Sequence, residues 1–313
     1  MRVSQRPGLG IALIVLMAAC FAGMDTIIKY AGKVLPVLLM LWVRYAFQAA
    51  AMAVWLARSK TAGFRAAHPK FQWVRGALLL ATSAMSFFGV QRMPVAEFTA
   101  IIMLTPVLVT LLAAWLLHER VSALRWALVF GGFAGALVII RPGSGLFGWA
   151  VLFPLTGALC YASFQVLTSK LSALESPYTT HFYTGAVGTL LITPVLLAAV
   201  AMDGIDVAAV LQAASPRLLA LMLAVGLLGT VGHLLLIFAL GLAPTATLMP
   251  FTYTQIAVAA GVGWLVFAHV PDGWAQVGMA VVAACGATSA WLNVREAATR
   301  RPISPVAADT MAD

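Results

Sequence analysis

The chain has 313 residues, of which 62% are hydrophobic and 9% charged, with a mean hydropathy of +0.98 and a formal charge of +9. That is too little polar surface to coat a soluble globule of this size, and no basic aromatic module accompanies the charge, so a soluble domain and a nucleic-acid binder are both excluded. The composition is that of a bilayer protein, and the surplus of Lys and Arg reads first as a topology signal, with anionic lipid headgroups as sufficient partners.

A membrane span needs roughly 20 mostly apolar residues. About ten such runs can be marked: 9–31, 34–57, 73–91, 96–117, 124–141, 149–170, 178–201, 217–240, 245–268 and 274–294. The expected fold class is therefore an all-α integral membrane protein. With a cytoplasmic N-terminus, thirteen of the nineteen Lys and Arg fall inside, among them Arg58, Lys60, Arg65, Lys70 and Arg75, which predicts both termini and the Arg58 to Gln72 loop on the cytoplasmic side of the inner membrane.

In the first run, Arg2, Arg6 and Leu16-Met17-Ala18-Ala19-Cys20 resemble a secretion signal. The apolar stretch continues to Ala31, however, and Cys20 has an internal counterpart at Cys160, so the segment is read as a retained helix. Asp25 and Lys29 stand at i and i+4 on one face. An ionisable group in a span is costly and faces a partner or a wet cavity. Lys29 is close enough to the outer end to snorkel, whereas Asp25 lies roughly 9 Å deep and Arg44 of the second run roughly 13 Å. Asp25 and Arg44 are thus either a structural pair or part of a substrate path. Ser83 and Ser86 in the third run suit packing or interhelical hydrogen bonds.

The sequence Arg92-Met93-Pro94-Val95-Ala96-Glu97 makes a tight outer turn into the fourth run, with proline where its missing N–H does little harm. Midway, Pro106 frees a carbonyl near Ile102 and predicts a bend. Thr105 beside it either satisfies that carbonyl or turns its hydroxyl to a cavity. Gly131 and Gly135 form a small-residue step that lets another helix approach closely, in this chain or in a second copy. After Arg141-Pro142-Gly143 the polar groups within the spans are neutral: Tyr161, Gln165, His181, Tyr183, His233, Tyr253 and Gln255.

The chain repeats itself weakly. A shift of about 150 residues sets Pro94 on Pro244 and Glu119 on His269, and a shift of about 140 sets Ala18, Cys20 and Ala22 on Ala158, Cys160 and Ala162. Under that shift Gln165 takes the place of Asp25 and Thr184 that of Arg44. Two five-helix halves, 1–143 and 144–294, followed by a polar cytoplasmic tail at 295–313, are expected, and an odd number of spans per half inverts the second half relative to the first. Inverted repeats give one pattern two nearly equivalent packings, which is the basis of alternating access.

Gly23-Met24-Asp25-Thr26-Ile27-Ile28-Lys29, Arg44-Tyr45, the turn into the fourth run, His118-Glu119-Arg120 and the following Gly131, Gly132 and Gly135 resemble the EamA-type members of the drug/metabolite transporter superfamily. The resemblance implies ten spans in two repeats and substrates such as amino acids, nucleosides, nucleotide-linked metabolites and cofactors. One departure is Phe267-Ala268-His269-Val270-Pro271, where the family commonly keeps a Glu.

No other chemistry competes. Cys20, Cys160 and Cys285 have no metal spacing, no glycine-rich phosphate loop with its Lys is present, and no zincin or serine-elbow motif occurs, so neither an enzyme nor a cofactor is expected. The expected function is a secondary transporter of a small polar metabolite, an amino acid or a related compound, with a cofactor or nucleoside-like cargo as the alternative and a channel or sensor behind these. Its substrate-binding residues are expected among Asp25, Arg44, Thr105, Gln165, His181, Tyr183, Tyr253 and Gln255.

Overall fold

Backbone N–H and C=O groups in hydrocarbon must be satisfied within the protein, so long apolar runs fold as helices. The first, α1 (Pro7–Ala31), carries no charge before Asp25 and at about 1.5 Å per residue is longer than the hydrocarbon core of a bilayer. The computed structural model describes residues 7–59, 63–105, 107–109, 111–112, 123–141, 144, 146–171, 176–202, 204–242 and 251–299. The helices after α1 are α2 (Val37–Arg58), α3 (Pro69–Arg92), α4 (Val95–Ile102), α5 (Ala123–Ile140), α6 (Leu152–Leu171) entered through a 3-10 turn at Gly148–Val151, α7 (Pro177–Ala201), α8 (Val207–Ala213), α9 (Pro216–Leu242), α10 (Thr254–Phe267) and α11 (Gly273–Thr299). Six of them are long and apolar enough to cross a membrane, and the apolar stretches at Val95–Val109, Trp126–Ile140 and Thr254–Phe267 are shorter. Short α8 was not expected. It is capped by Asp206, whose carboxylate accepts the Ala209 N–H.

The packing partners come in matched sets. α1 lies on α9 as α6 lies on α3, α2 meets α9 as α7 meets α3, and α1 meets α10 as α4 meets α6, while α2 also pairs with α7, α4 with α10 and α5 with α11. Exchanging α1 to α5 with α6, α7, α9, α10 and α11 carries each of the first six contacts onto another and leaves the last three unchanged.

Small residues set how closely these helices approach. Gly226, Gly229 and Gly232 follow at every third position of α9, and a Cβ there would come within 2.7 Å of Phe47, 2.9 Å of Arg44 Nε and 2.7 Å of Phe21 respectively. The Gly131 and Gly135 step is taken up inside the chain: Cβ atoms there would meet Cys285 Sγ at 2.7 Å and the Gly278 carbonyl at 3.0 Å, both on α11. α5 and α11 are also tied at one end, where Arg141 Nη2 bonds Asp272 Oδ2 at 2.6 Å. Backbone amides hold the Asp272 carboxyl below its ordinary value of 3.8, that of Ala275 first, together with the Arg141 hydrogen bond.

Candidate functional site

A line of buried polar side chains runs through the middle of the bundle. Its centre is Arg44, 2% exposed on α2, packed with its guanidinium over the Tyr45 ring at 4.6 Å and accommodated by Gly229 on α9. Its Nε and Nη1 atoms are buried without a hydrogen-bond partner. Burying a cation this way is costly unless something pairs it. Asp25, itself buried on α1, lies within electrostatic reach, yet the ion pairs formed among the described residues are Arg141 with Asp272 and His269 with Glu97. The expected neighbours are therefore near each other without closing a salt bridge.

From Arg44 the line continues through two histidines. His233 sits one turn beyond Gly229 on α9, its Nδ1 3.0 Å from the Gly229 carbonyl, with its ring edge to Phe21 at 5.0 Å. The His181 ring of α7 follows at 5.9 Å. Gln48, one turn along α2 from Arg44, donates from Nε2 to the His181 carbonyl at 3.0 Å and lies 3.3 Å from His181 Nδ1. Gln48 Oε1 and both histidine Nε2 atoms are buried without partners. Tyr161 on α6 stacks on Phe164 and lies within electrostatic reach of Arg44, one helical turn before Gln165.

The line ends at a second arginine. Arg75, assigned to the cytoplasmic flank by charge counting, is 4% exposed inside α3. Its Nε donates to Thr168 Oγ1 at 2.7 Å, and its Nη1 donates to Thr184 Oγ1 at 2.9 Å, the Thr180 carbonyl at 3.1 Å and Gln72 Oε1 at 3.3 Å. Thr184, the repeat counterpart of Arg44, therefore binds a cation donated by α3. Two interior arginines stand in opposite conditions: Arg75 is fully engaged and Arg44 is not.

A separate cluster closes the end of the bundle at the α3–α4 turn. Lys29 does not snorkel freely; its Nζ donates to the Val90 and Met93 carbonyls at 2.9 and 2.7 Å. His269 Nε2 donates to Glu97 Oε1 at 2.8 Å, joining the loop after α10 to the start of α4. His269 thus finds its acid 172 positions away along the chain. Lys29, Gln91, Arg92, Phe267 and His269 line a cavity of about 300 Å³ beside this pair.

The remaining expected residues divide. Thr105 Oγ1 donates to the Ile102 carbonyl at 2.7 Å, so of its two readings the backbone-satisfying one is observed; Pro106 lies outside the described residues. Gln165 is half-buried near the Arg44 line, and Tyr183 is half-buried against Phe182, with no described contact to that line. Tyr253 and Gln255 are buried elsewhere, Tyr253 against Gly286 of α11. Sequence reasoning passed over Gln48, Gln72, Arg75 and Glu97. Gln48 had a signal, since it lies at i+4 from Arg44 on the same face. Gln72 and Arg75 looked like helix-end charge and polarity, and only the packing of α3 on α6 and α7 buries them.

The described helices thus form a membrane protein with buried, partly unpaired polar side chains between them. Residues 8–141 match the EamA-like transporter family. Over 194 residues the chain is 31% identical to a riboflavin transporter of Rhizobium johnstonii, covering 62% of this chain and 61% of that protein. It is 28% identical over 285 residues to a pseudopaline exporter of Pseudomonas aeruginosa, covering 90% and 95%. A solved crystal structure superposes with a TM-score of 0.58 at 19% identity over 92% of this chain and 97% of that one, which establishes a shared fold.

Proposed function

We propose that this chain is a secondary transporter that carries a small polar metabolite across the inner membrane by alternating access, without enzymatic activity of its own. Its working parts are two inverted five-helix halves, 1–143 and 144–294. The exchange symmetry of the helix contacts supports that division, since each helix and its counterpart meet corresponding partners, and inverted repeats rock between two equivalent packings about a central site. Both termini and the Arg58 to Gln72 loop are cytoplasmic in this reading.

The observation that carries the proposal is Arg44: a buried guanidinium with unpaired nitrogens, within electrostatic reach of Asp25, Tyr161 and His181. A guanidinium binds carboxylates by charge-assisted hydrogen bonds, and a carboxylate at Asp25 accepts an ammonium. An amino-acid-like head group satisfies both. A second reading, a flat cofactor of the flavin type, is favoured by the 31% identity to a riboflavin transporter and by the rings of Phe21, His233 and His181 beside Arg44.

Counterflow in proteoliposomes tests the proposal. Accumulation of labelled glutamate, glutamine or riboflavin against its unlabelled form, lost in Arg44→Gln at matched protein levels, is the expected result. Ungated bulk flux would show a pore instead.

A further inference from the structure

Around Arg44 the buried polar side chains close a circuit. Gln48 follows Arg44 one turn along α2 and reaches His181 on α7, the His181 ring meets that of His233 on α9 at 5.9 Å, and His233 stands one turn from Gly229, against which Arg44 Nε packs. Within this circuit the role of each open atom is set by the bond its side chain already makes. A backbone carbonyl can only accept. Gln48 therefore turns its amide nitrogen to the His181 carbonyl at 3.0 Å, which leaves Oε1, an acceptor, as the open atom. His233 donates from Nδ1 to the Gly229 carbonyl at 3.0 Å, so in the neutral ring Nε2 is a second open acceptor. The open Arg44 nitrogens, Nε and Nη1, can only donate. All three side chains are buried.

We propose that Gln48 and His233 form a second part of the substrate site, which accepts hydrogen bonds from neutral N–H or O–H groups carried beside the group that docks on Arg44. This rests on the reading of Arg44 as a substrate ligand and narrows the substrate class of that site. The class is one in which an acceptor and a neutral donor stand side by side: carboxamides, cyclic amides and imides, and hydroxyl-bearing compounds. Hydrogen-bond accounting carries the argument. Buried polar atoms in folded proteins find partners, an unmet one is costly, and among the described residues Gln48 Oε1 and His233 Nε2 meet none. A substrate that offers only acceptors satisfies Arg44 and leaves both of these atoms open. One that offers donors as well satisfies all of them.

Probes whose N–H donors are capped by methyl groups test this. Glutamine is compared with its dimethylated side-chain amide, riboflavin with 3-methylriboflavin, and uridine with 3-methyluridine. Thermal stabilisation of the purified protein and competition in counterflow are read for each. The expected result is that at least one uncapped probe acts and that its capped partner is weaker by about tenfold or more, the scale of one lost hydrogen bond. Gln48→Met or His233→Phe should remove that difference by weakening the uncapped probe to the level of the capped one, whereas a simple clash with the added methyl would persist in both variants. The probe pairs on the native protein decide the matter even where a variant fails to fold. If every acting probe is matched by its capped partner, the inference is overturned while the transporter reading stands; a difference that survives in both variants, or a panel in which no uncapped probe acts, overturns it too. Counterflow that persists unchanged in Arg44→Gln overturns both.

Discussion

Arg44 and Arg75 show how differently two buried cations of the same type behave. Arg44 makes no salt bridge with Asp25, so neutralising it breaks no direct ion pair and removes a buried cation whose Nε and Nη1 have no hydrogen-bond partner. The variant Arg44→Gln is expected to match or exceed the native protein in thermal stability while transport falls at least tenfold, as measured by fluorescence-detected unfolding and counterflow on the same preparation. Arg75→Gln should behave in the reverse order. It removes charge-assisted bonds to Thr168, Thr180 and Thr184, and at about 1.5 to 3 kcal/mol for such a bond the expected loss is about 3 kcal/mol or more, visible as reduced yield and a lower unfolding temperature. Loss of transport with no loss of stability in Arg75→Gln would mean that its network does not hold α3 to α6 and α7. Asp25 and Arg44 were legible in the sequence because charge is rare in apolar runs. Arg75 was not, because a basic residue six positions into a helix looks the same whether it points to headgroups or to the next helix.

At the scale of the element, the pairing of α5 with α11 rests on two devices. Gly135 and Gly278 face each other so closely that a Cβ on Gly278 would sit 2.6 Å from the Gly135 carbonyl. Gly278→Leu cannot be absorbed by a side-chain rotation and should separate the helices, with a stability loss of about 1 to 3 kcal/mol typical of overpacking. Asp272 is the second device. Accepting the Ala275 N–H at the start of α11 and pairing with Arg141, its carboxyl titrates below its ordinary value, so its contribution is present above that value and disappears as pH falls through the lowered one. Thermal stability measured from about pH 5 down to pH 2 should fall less steeply for Asp272→Asn than for the native protein. The small-residue step at Gly131 and Gly135 could be read from spacing. Its partner could not, since only the folded chain shows that α11 of the same molecule fills it. The same division holds at α4, where proline chemistry predicted a freed carbonyl near Ile102 and the structure supplied Thr105 as its donor.

At the scale of the whole molecule, the topology carries its own prediction. Arg65→Cys, in an exposed connection, and a tag on the C-terminus should both be labelled only from the cytoplasmic side; labelling from opposite sides would reject the proposed orientation. The bond of His269 to Glu97 ties the loop after α10 to α4 at one end of the bundle, and His269→Ala should accelerate reaction of a thiol placed at Gln91→Cys, beside the cavity, with a membrane-impermeant probe. By itself the sequence determined that the protein is helical and lives in a membrane, because composition and run length leave the backbone no other way to satisfy its polar groups. It also determined the family resemblance and the rarity of Asp25 and Arg44. Tertiary structure alone decided which polar groups meet: Arg75 with Thr184, His181 with His233, His269 with Glu97. The reason is physical. Burial energy is read along the chain, one run at a time, whereas hydrogen bonds between residues 61 to 172 positions apart depend on which helix faces lie against each other, and packing chooses those faces.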